Sequence, residues 1–174
     1  MATTYTLINS EVLSSTATSV TFSSIPATFT DLVLRASVRA TNSGIGDLNL
    51  YLIINNDEGA VDTLYSRTTI TGNGSSASSA RVSNIAPFTS VGGVNGSTST
   101  ANTFASLEFY LPNYLVSATK VMSGFNVTEN NDTEAYIRAH AGIYRSNTAI
   151  TSVKLSQLTF AIGSSFYLYG ISNA

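Results

Sequence analysis

The amino-acid sequence predicts an all-β fold, an antiparallel β-sandwich of jelly-roll type. Three observations carry this expectation. Apolar residues recur with period 2 in short runs, the pattern of half-buried strands. Turn-forming clusters separate those runs at roughly even spacing: 42–46 (NSGIG), 55–59 (NNDEG), 129–132 (ENND) and 145–147 (RSN). No stretch holds a helical period, so the crossover helices of a parallel βαβ architecture are missing. About ten strands outnumber those of an oligonucleotide-binding barrel and suit two Greek keys with additions.

The elements follow in order. Segments 4–9 and 18–23 open the chain as strand candidates. In 31–39, Leu32, Leu34, Ala36 and Val38 fall on one face and Arg35, Ser37 and Arg39 on the other. Segments 48–55 and 63–71 come next. In 103–111, Leu107, Phe109 and Leu111 oppose Ser106, Glu108 and Tyr110. Segment 120–128 follows. In 135–144, Ile137, Ala139, Ala141 and Ile143 are expected to face inward, with Arg138, His140 and Tyr144 outward. Segments 150–158 and 165–172 complete the set. Most are rich in β-branched and aromatic residues, which fit a pleated surface. In the last, Phe166 and Leu168 oppose Tyr167, Tyr169 and Ile171, so both faces are bulky, as in a central or subunit-covered strand. Two small-residue stretches break the rhythm, 72–80 (GNGSSASSA) and 89–101 (TSVGGVNGSTSTA). They predict an irregular excursion over 72–101 from one end of a single 1–174 domain.

Composition bounds the function. The chain has 174 residues, 43% of them hydrophobic, with nine Tyr, eight Phe and no Trp. That length fits one domain. Only 10% are charged, against about a quarter in an ordinary domain. Ser, Thr, Asn and Gly stand where charges usually do. Charged side chains, Lys above all, keep sheet edges and faces from adhering to other chains. A surface without them is expected to be covered by partners, first of all by copies of the same chain. The net charge of −2 and scattered basic residues leave no footprint for nucleic acid or an anionic membrane. No apolar run approaches the roughly 18 residues of a membrane span. The opening MATTYTL lacks the basic and apolar regions of a secretory signal, which gives the expectation of synthesis and assembly in a cytoplasm.

No residue cluster announces a reaction. Cys is absent, which removes disulfides, thiolate metal sites and a Cys nucleophile. His140 is the only histidine and no Gly-x-Ser-x-Gly elbow presents a serine to it; it is expected as an exposed or interface side chain. The carboxylates Asp57, Glu58 and Asp62, and Glu129, Asp132 and Glu134, lie in or beside turns, where Asp and Asn bond their own backbone. The second group is oxygen-rich enough for Ca²⁺ but lacks the spacing and glycine of an EF-hand. The expectation is therefore no enzyme, with no catalytic, cofactor or metal site.

Several segments carry a resemblance. Thr4-Tyr-Thr-Leu-Ile-Asn-Ser10, the run from Val20 through Ile25-Pro-Ala-Thr-Phe29 to Leu34, Leu111-Pro-Asn-Tyr114, Glu129-Asn-Asn131, 149–155 (AITSVKL) and 163–171 (GSSFYLYGI) resemble small virion proteins of tailed phages, many of them marine. The resemblance implies a virion structural role and transfers no catalytic residue. It implies either a capsid decoration protein, bound to the major capsid protein on the outer shell as a homo-oligomer with a trimer favoured, or a tail-fibre module recognising a host glycan. Decoration is favoured here because no fibrous or coiled-coil segment extends the fold. The strands at 5–8 and 165–172 are the expected subunit contacts, and the 72–101 loops the expected reach toward neighbours or shell.

Overall fold

The computed structural model describes residues 4–59, 64–85, 87–131 and 133–172. They form β1 (Tyr5–Val12), β2 (Ala17–Phe22), β3 (Asp31–Val38), β4 (Leu48–Asn49), β5 (Tyr51–Ile54), β6 (Tyr65–Gly72), β7 (Ala77–Ile85), β8 (Gly93–Val94), β9 (Ala105–Leu111), β10 (Lys120–Glu129), β11 (Ala135–Tyr144), β12 (Val153–Phe160) and β13 (Ser165–Ile171), with no helix among the described residues. The protein is all-β. An eight-stranded sheet has the order β1-β13-β3-β9-β10-β11-β6-β7, and a three-stranded sheet the order β2-β12-β5. Every strand pairing in both is antiparallel.

The two sheets pack in a sandwich-like arrangement. Leu34, Phe109, Phe166 and Leu168 of the large sheet share one buried apolar cluster with Val20, Leu52, Leu155 and Phe160 of the small one. Segment 88–92 adds a further row beside β5: the Phe88 and Leu52 amides each donate to the other's carbonyl, at 3.2 and 3.0 Å, and Val91 N–H donates to Leu50 O at 3.0 Å. Half of the large sheet (β1, β13, β3, β9) and the small sheet with this added row contain strands that alternate between layers along the chain. That order is compatible with a jelly roll. β10, β11, β6 and β7 then continue the large sheet as two further hairpins.

Local chemistry sets the turns. Asn55 and Asn56 both have positive φ, 53° and 56°, and Asp57 N–H donates to Ile54 O at 3.0 Å. Asn tolerates this mirror-image turn better than other side-chain-bearing residues. Asn55 also anchors the next layer, with Nδ2 donating to Ala149 O and Oδ1 accepting from Thr151 N–H, both at 2.8 Å. The 72–80 stretch closes the β6–β7 hairpin: Asn73 Oδ1 accepts from the Ser75 and Ser76 amides at 3.1 and 2.8 Å. Gly74 supplies the φ of 84° that the bend needs.

Tyr65 ties the extension to the sandwich. Its ring is buried against Phe88 and Tyr144, with centroids 4.5 and 4.9 Å away. Its hydroxyl accepts from Ile54 N–H and donates to Ile54 O, each at 3.2 Å. Burial pushes its pKa upward. Tyr65→Phe is expected to cost about 1–3 kcal/mol, because the buried Ile54 N–H loses its acceptor, whereas Ile54 O keeps the Asp57 N–H. Urea unfolding checks this; an unchanged midpoint would show that the backbone finds other partners.

Three expectations are corrected. The 135–144 strand is turned over: His140 and Tyr144 are buried and Arg138 is partly buried, while Ile137 and Ile143 are exposed. Segment 48–55 is divided at Leu50 into β4 and β5. The 89–101 stretch is packed inward, with Val91, Val94, Asn95 and Ser99 buried, and 77–85 is the strand β7. Position 63, where one strand candidate began, lies outside the described residues. The reversal of β11 has a physical cause. Beyond the small sheet, the inner face of β10 and β11 is covered by segments 42–49 and 88–103, which are irregular apart from the two-residue strands β4 and β8 and whose backbone needs hydrogen-bond partners. Asn126 Nδ2 donates to Gly93 O at 3.1 Å and the Thr128 hydroxyl to Gly46 O at 2.9 Å. The polar side of each strand therefore faces in.

Candidate interaction surface

Turning the polar side inward leaves the apolar side out. On β10 the outward residues are Val121, Ser123, Phe125 and Val127; on β11 they are Ile137, Ala139, Ala141 and Ile143. The registers set them in rows across the sheet. One row reads Glu108, Phe125, Ala139, Ile70, Ser79 and a second Tyr110, Ser123, Ala141, Thr68, Arg81, from β9 to β7. Val121 opposes Ile143, and Val127 opposes Ile137. Ile70, Val121, Phe125, Val127, Ile137 and Ile143 are each between 40% and 55% exposed. Within the two rows the only charges are Glu108 and Arg81, one at either side. Contiguous apolar surface rimmed by polar residues marks an interaction site, and depletion of charge is the compositional sign of an interface core. A depression of about 530 Å³ beside Val121 and Ile143, edged by Arg81 and Arg145, gives the surface relief.

The same outer face changes character toward β1. Arg35 Nε donates to Glu108 Oε2 at 2.6 Å. Tyr167 and Tyr169 stack beside this pair with centroids 6.5 Å apart, and Tyr5 meets Tyr169 edge-on at 6.4 Å. The expected contact strand β1 is one of the two edges of the sheet, with Tyr5, Leu7 and Val12 exposed. β13 lies between β1 and β3, with Phe166 and Leu168 fully buried. Only its tyrosine side faces out.

His140 is sealed in a polar chain. Asn126 donates through Nδ2 to Gly93 O, so its Oδ1 accepts from His140 Nε2, 3.2 Å away. His140 Nδ1 is then an acceptor and takes the Thr69 hydroxyl at 3.1 Å. Thr69 Oγ1 in turn accepts from Arg67 Nη1 at 2.7 Å. Burial, and then the charges of Arg67 and Arg138, lower the His140 pKa to about 4. An imidazole that stays neutral with such a low pKa is a weak base at neutral pH.

The carboxylates are held by donors. Glu129 accepts from the Thr100 amide at 2.9 Å, the Thr100 hydroxyl at 3.0 Å, the Thr103 hydroxyl at 2.9 Å, Asn95 Nδ2 at 3.3 Å and the Asn131 amide. Burial would raise its pKa, but the hydrogen bonds from Asn131, Thr103 and Thr100 outweigh it and hold the pKa below its ordinary value. With Arg39 donating to Ser99 O, Thr100 O and Thr103 O, Glu129 pins the 95–103 loop onto the sheet. Glu134 accepts from Asn130 Nδ2 at 3.2 Å and the Tyr136 hydroxyl at 3.3 Å. Glu58 pairs with Lys154, and Asp57 closes the β5 turn. Asp62 and Asp132 lie outside the described residues. Among the described residues no group of three or more His, Asp or Glu is placed to hold a metal ion.

No family model matches the chain, and neither the curated proteins nor the solved structures searched contain a match to it.

Proposed function

We propose that the protein is a structural component of a phage virion. In this reading it is a decoration protein that binds the outer shell as a homo-oligomer and has no catalytic role. The observation that carries the reading is the charge-poor apolar face of β10, β11 and β6, which fits a second copy of the same chain better than water. The charge-poor composition and the sequence resemblance to small virion proteins point the same way, and the resemblance favours three copies. Many weak attachments to a shell add through multivalency, so each contact with the major capsid protein need be only modest.

Light scattering on the purified chain is expected to find an oligomer at micromolar concentration. A monomer persisting to millimolar concentration would defeat self-association. Immunogold labelling of virions is expected to decorate the head; label confined to fibres or baseplate would overturn the location. That outcome would promote a second reading, glycan binding by a tail appendage, which the Tyr167–Tyr169 stack beside the Arg35–Glu108 pair favours because sugars stack on aromatic faces and bond to such paired charges. Inhibition of phage adsorption by the purified protein would support it.

A further inference from the structure

The chain holds eight Lys and Arg, and most have an evident partner. Arg35 and Lys154 have carboxylates; Arg39 and the buried Lys120 donate to backbone carbonyls. Among the described residues, Arg67 and Arg138 are different in having neither a carboxylate nor a backbone carbonyl, although Arg67 donates to the Thr69 hydroxyl. They stand on the inner face of neighbouring strands, where Thr71 opposes Arg138 and Gly142 opposes Arg67, so they flank the Thr69–His140 pair from its two sides. Both line one cavity of about 180 Å³. No carboxylate among the described residues lies within ion-pair distance of either. Arg67 Nε is buried without a hydrogen-bond partner. Burial, and then the charge of Arg138, disfavour the charged form of Arg67, and Asp47 and Tyr136 only partly offset the burial of Arg138.

The rest of the cavity wall adds no negative charge: it is lined by the neutral Asn49, Thr69, Thr71, Ser78, Ala80 and Ser90. Two guanidinium groups on one cavity with a neutral polar wall suit planar or tetrahedral oxygen anions, which accept parallel hydrogen bonds from such forks. Such an anion would also relieve the repulsion between the two cations. Room for several waters, at about 30 Å³ each, accommodates one such group.

We propose that this cavity binds a small oxyanion, a phosphate, sulfate or carboxylate group, between Arg67 and Arg138. The group comes either from a free inorganic anion or from an acidic sugar, and the test separates the two. Thermal unfolding and titration calorimetry are run at constant ionic strength with phosphate, sulfate and glucuronate, and with chloride as the reference. At least one of them is expected to raise the Tm by a few degrees, since a ligand of the native state stabilises it, with one site per chain. Phosphate or sulfate alone identifies a free anion, and glucuronate alone an acidic sugar.

Arg67→Gln and Arg138→Gln are each expected to weaken binding at least about tenfold, the loss of one charged hydrogen-bonding partner. Arg81→Gln, on the outer face, is expected to bind as the parent does. If either Gln variant fails to fold, Arg138→Lys replaces it; keeping the charge without the fork is still expected to weaken binding. Absence of any shift or heat with all the probes overturns the proposal. So does an equal shift in the Arg67 and Arg138 variants, because the anion would then bind elsewhere.

Discussion

Lowering the pH from 7 to 4 is expected to remove about 3 kcal/mol of stability through His140 alone. Unfolded, the imidazole takes up a proton near 6.5; folded, it resists until about 4. Between those values the unfolded state binds more protons, so stability rises with pH across the window and falls as pH drops through it. Above about 6.5 the contribution is complete, and below about 4 it is gone. At about 1.4 kcal/mol per pKa unit the whole difference is about 3.5 kcal/mol, of which about 3 is lost by pH 4, where the folded imidazole is half protonated. The cause is local. His140 is 3% exposed, Arg67 of β6 and Arg138 of its own strand face it, and Asn126 of β10 offers it a neutral acceptor. Protonated Nδ1 would have to donate to Thr69 Oγ1, which already accepts from Arg67. Glu129, with its lowered pKa, loses its own contribution only further into acid. Denaturant midpoints measured at intervals from pH 7 to pH 4 check this. His140→Gln is expected to flatten the slope in that window, whereas an unchanged slope would assign the acid sensitivity to other groups.

Why the strands were legible and the site was not comes down to what alternation encodes. Period 2 divides a strand into two faces and says nothing about which is covered. For β3 and β9 the apolar face is the core face, and Leu34 and Phe109 are buried as their sequence implies. For β10 and β11 the same rule points the wrong way. Their covering layer is formed by the largely irregular segments 42–49 and 88–103, rich in Gly, Asn and Thr, whose carbonyls at Gly46 and Gly93 require donors. Asn126, Thr128 and His140 are buried for that reason, and Phe125 and Ile137 are left in solvent. One signal in the sequence did mark the difference: polar residues capable of bonding backbone recur at 126, 128 and 140 in strands facing a Gly-rich loop. β7 was missed for a simpler reason. Its ASSARVSNI has no apolar face, because as an outer strand it covers little of the core. The Arg67–Arg138 cavity depends on strand register across long sequence separations, which spacing along the chain does not reveal.

Phe125→Lys combined with Ile137→Lys is expected to convert the proposed oligomer to a folded monomer, with the dissociation constant raised at least about a hundredfold. Buried aromatic and aliphatic anchors at an interface centre commonly contribute 2 kcal/mol or more each on truncation, and about 1.4 kcal/mol corresponds to tenfold. Lys adds a desolvation cost that truncation does not, and it is the residue sheets use to repel other sheets. The substitutions leave the fold in place because both side chains point to solvent within one subunit and lack core contacts there. Their cost to the isolated chain is limited to strand propensity, about 1 kcal/mol at most per site. Light scattering reads the assembly state, and far-ultraviolet circular dichroism confirms that the strands persist. Leu7→Lys serves as the comparison, since it places the same charge on exposed β1 at the opposite edge of the sheet. Dissociation by Leu7→Lys and not by the paired variant would move the subunit contact to β1 and β13. Dissociation by the paired variant alone assigns it to the apolar face of β10 and β11, which the inward turn of the polar residues leaves exposed.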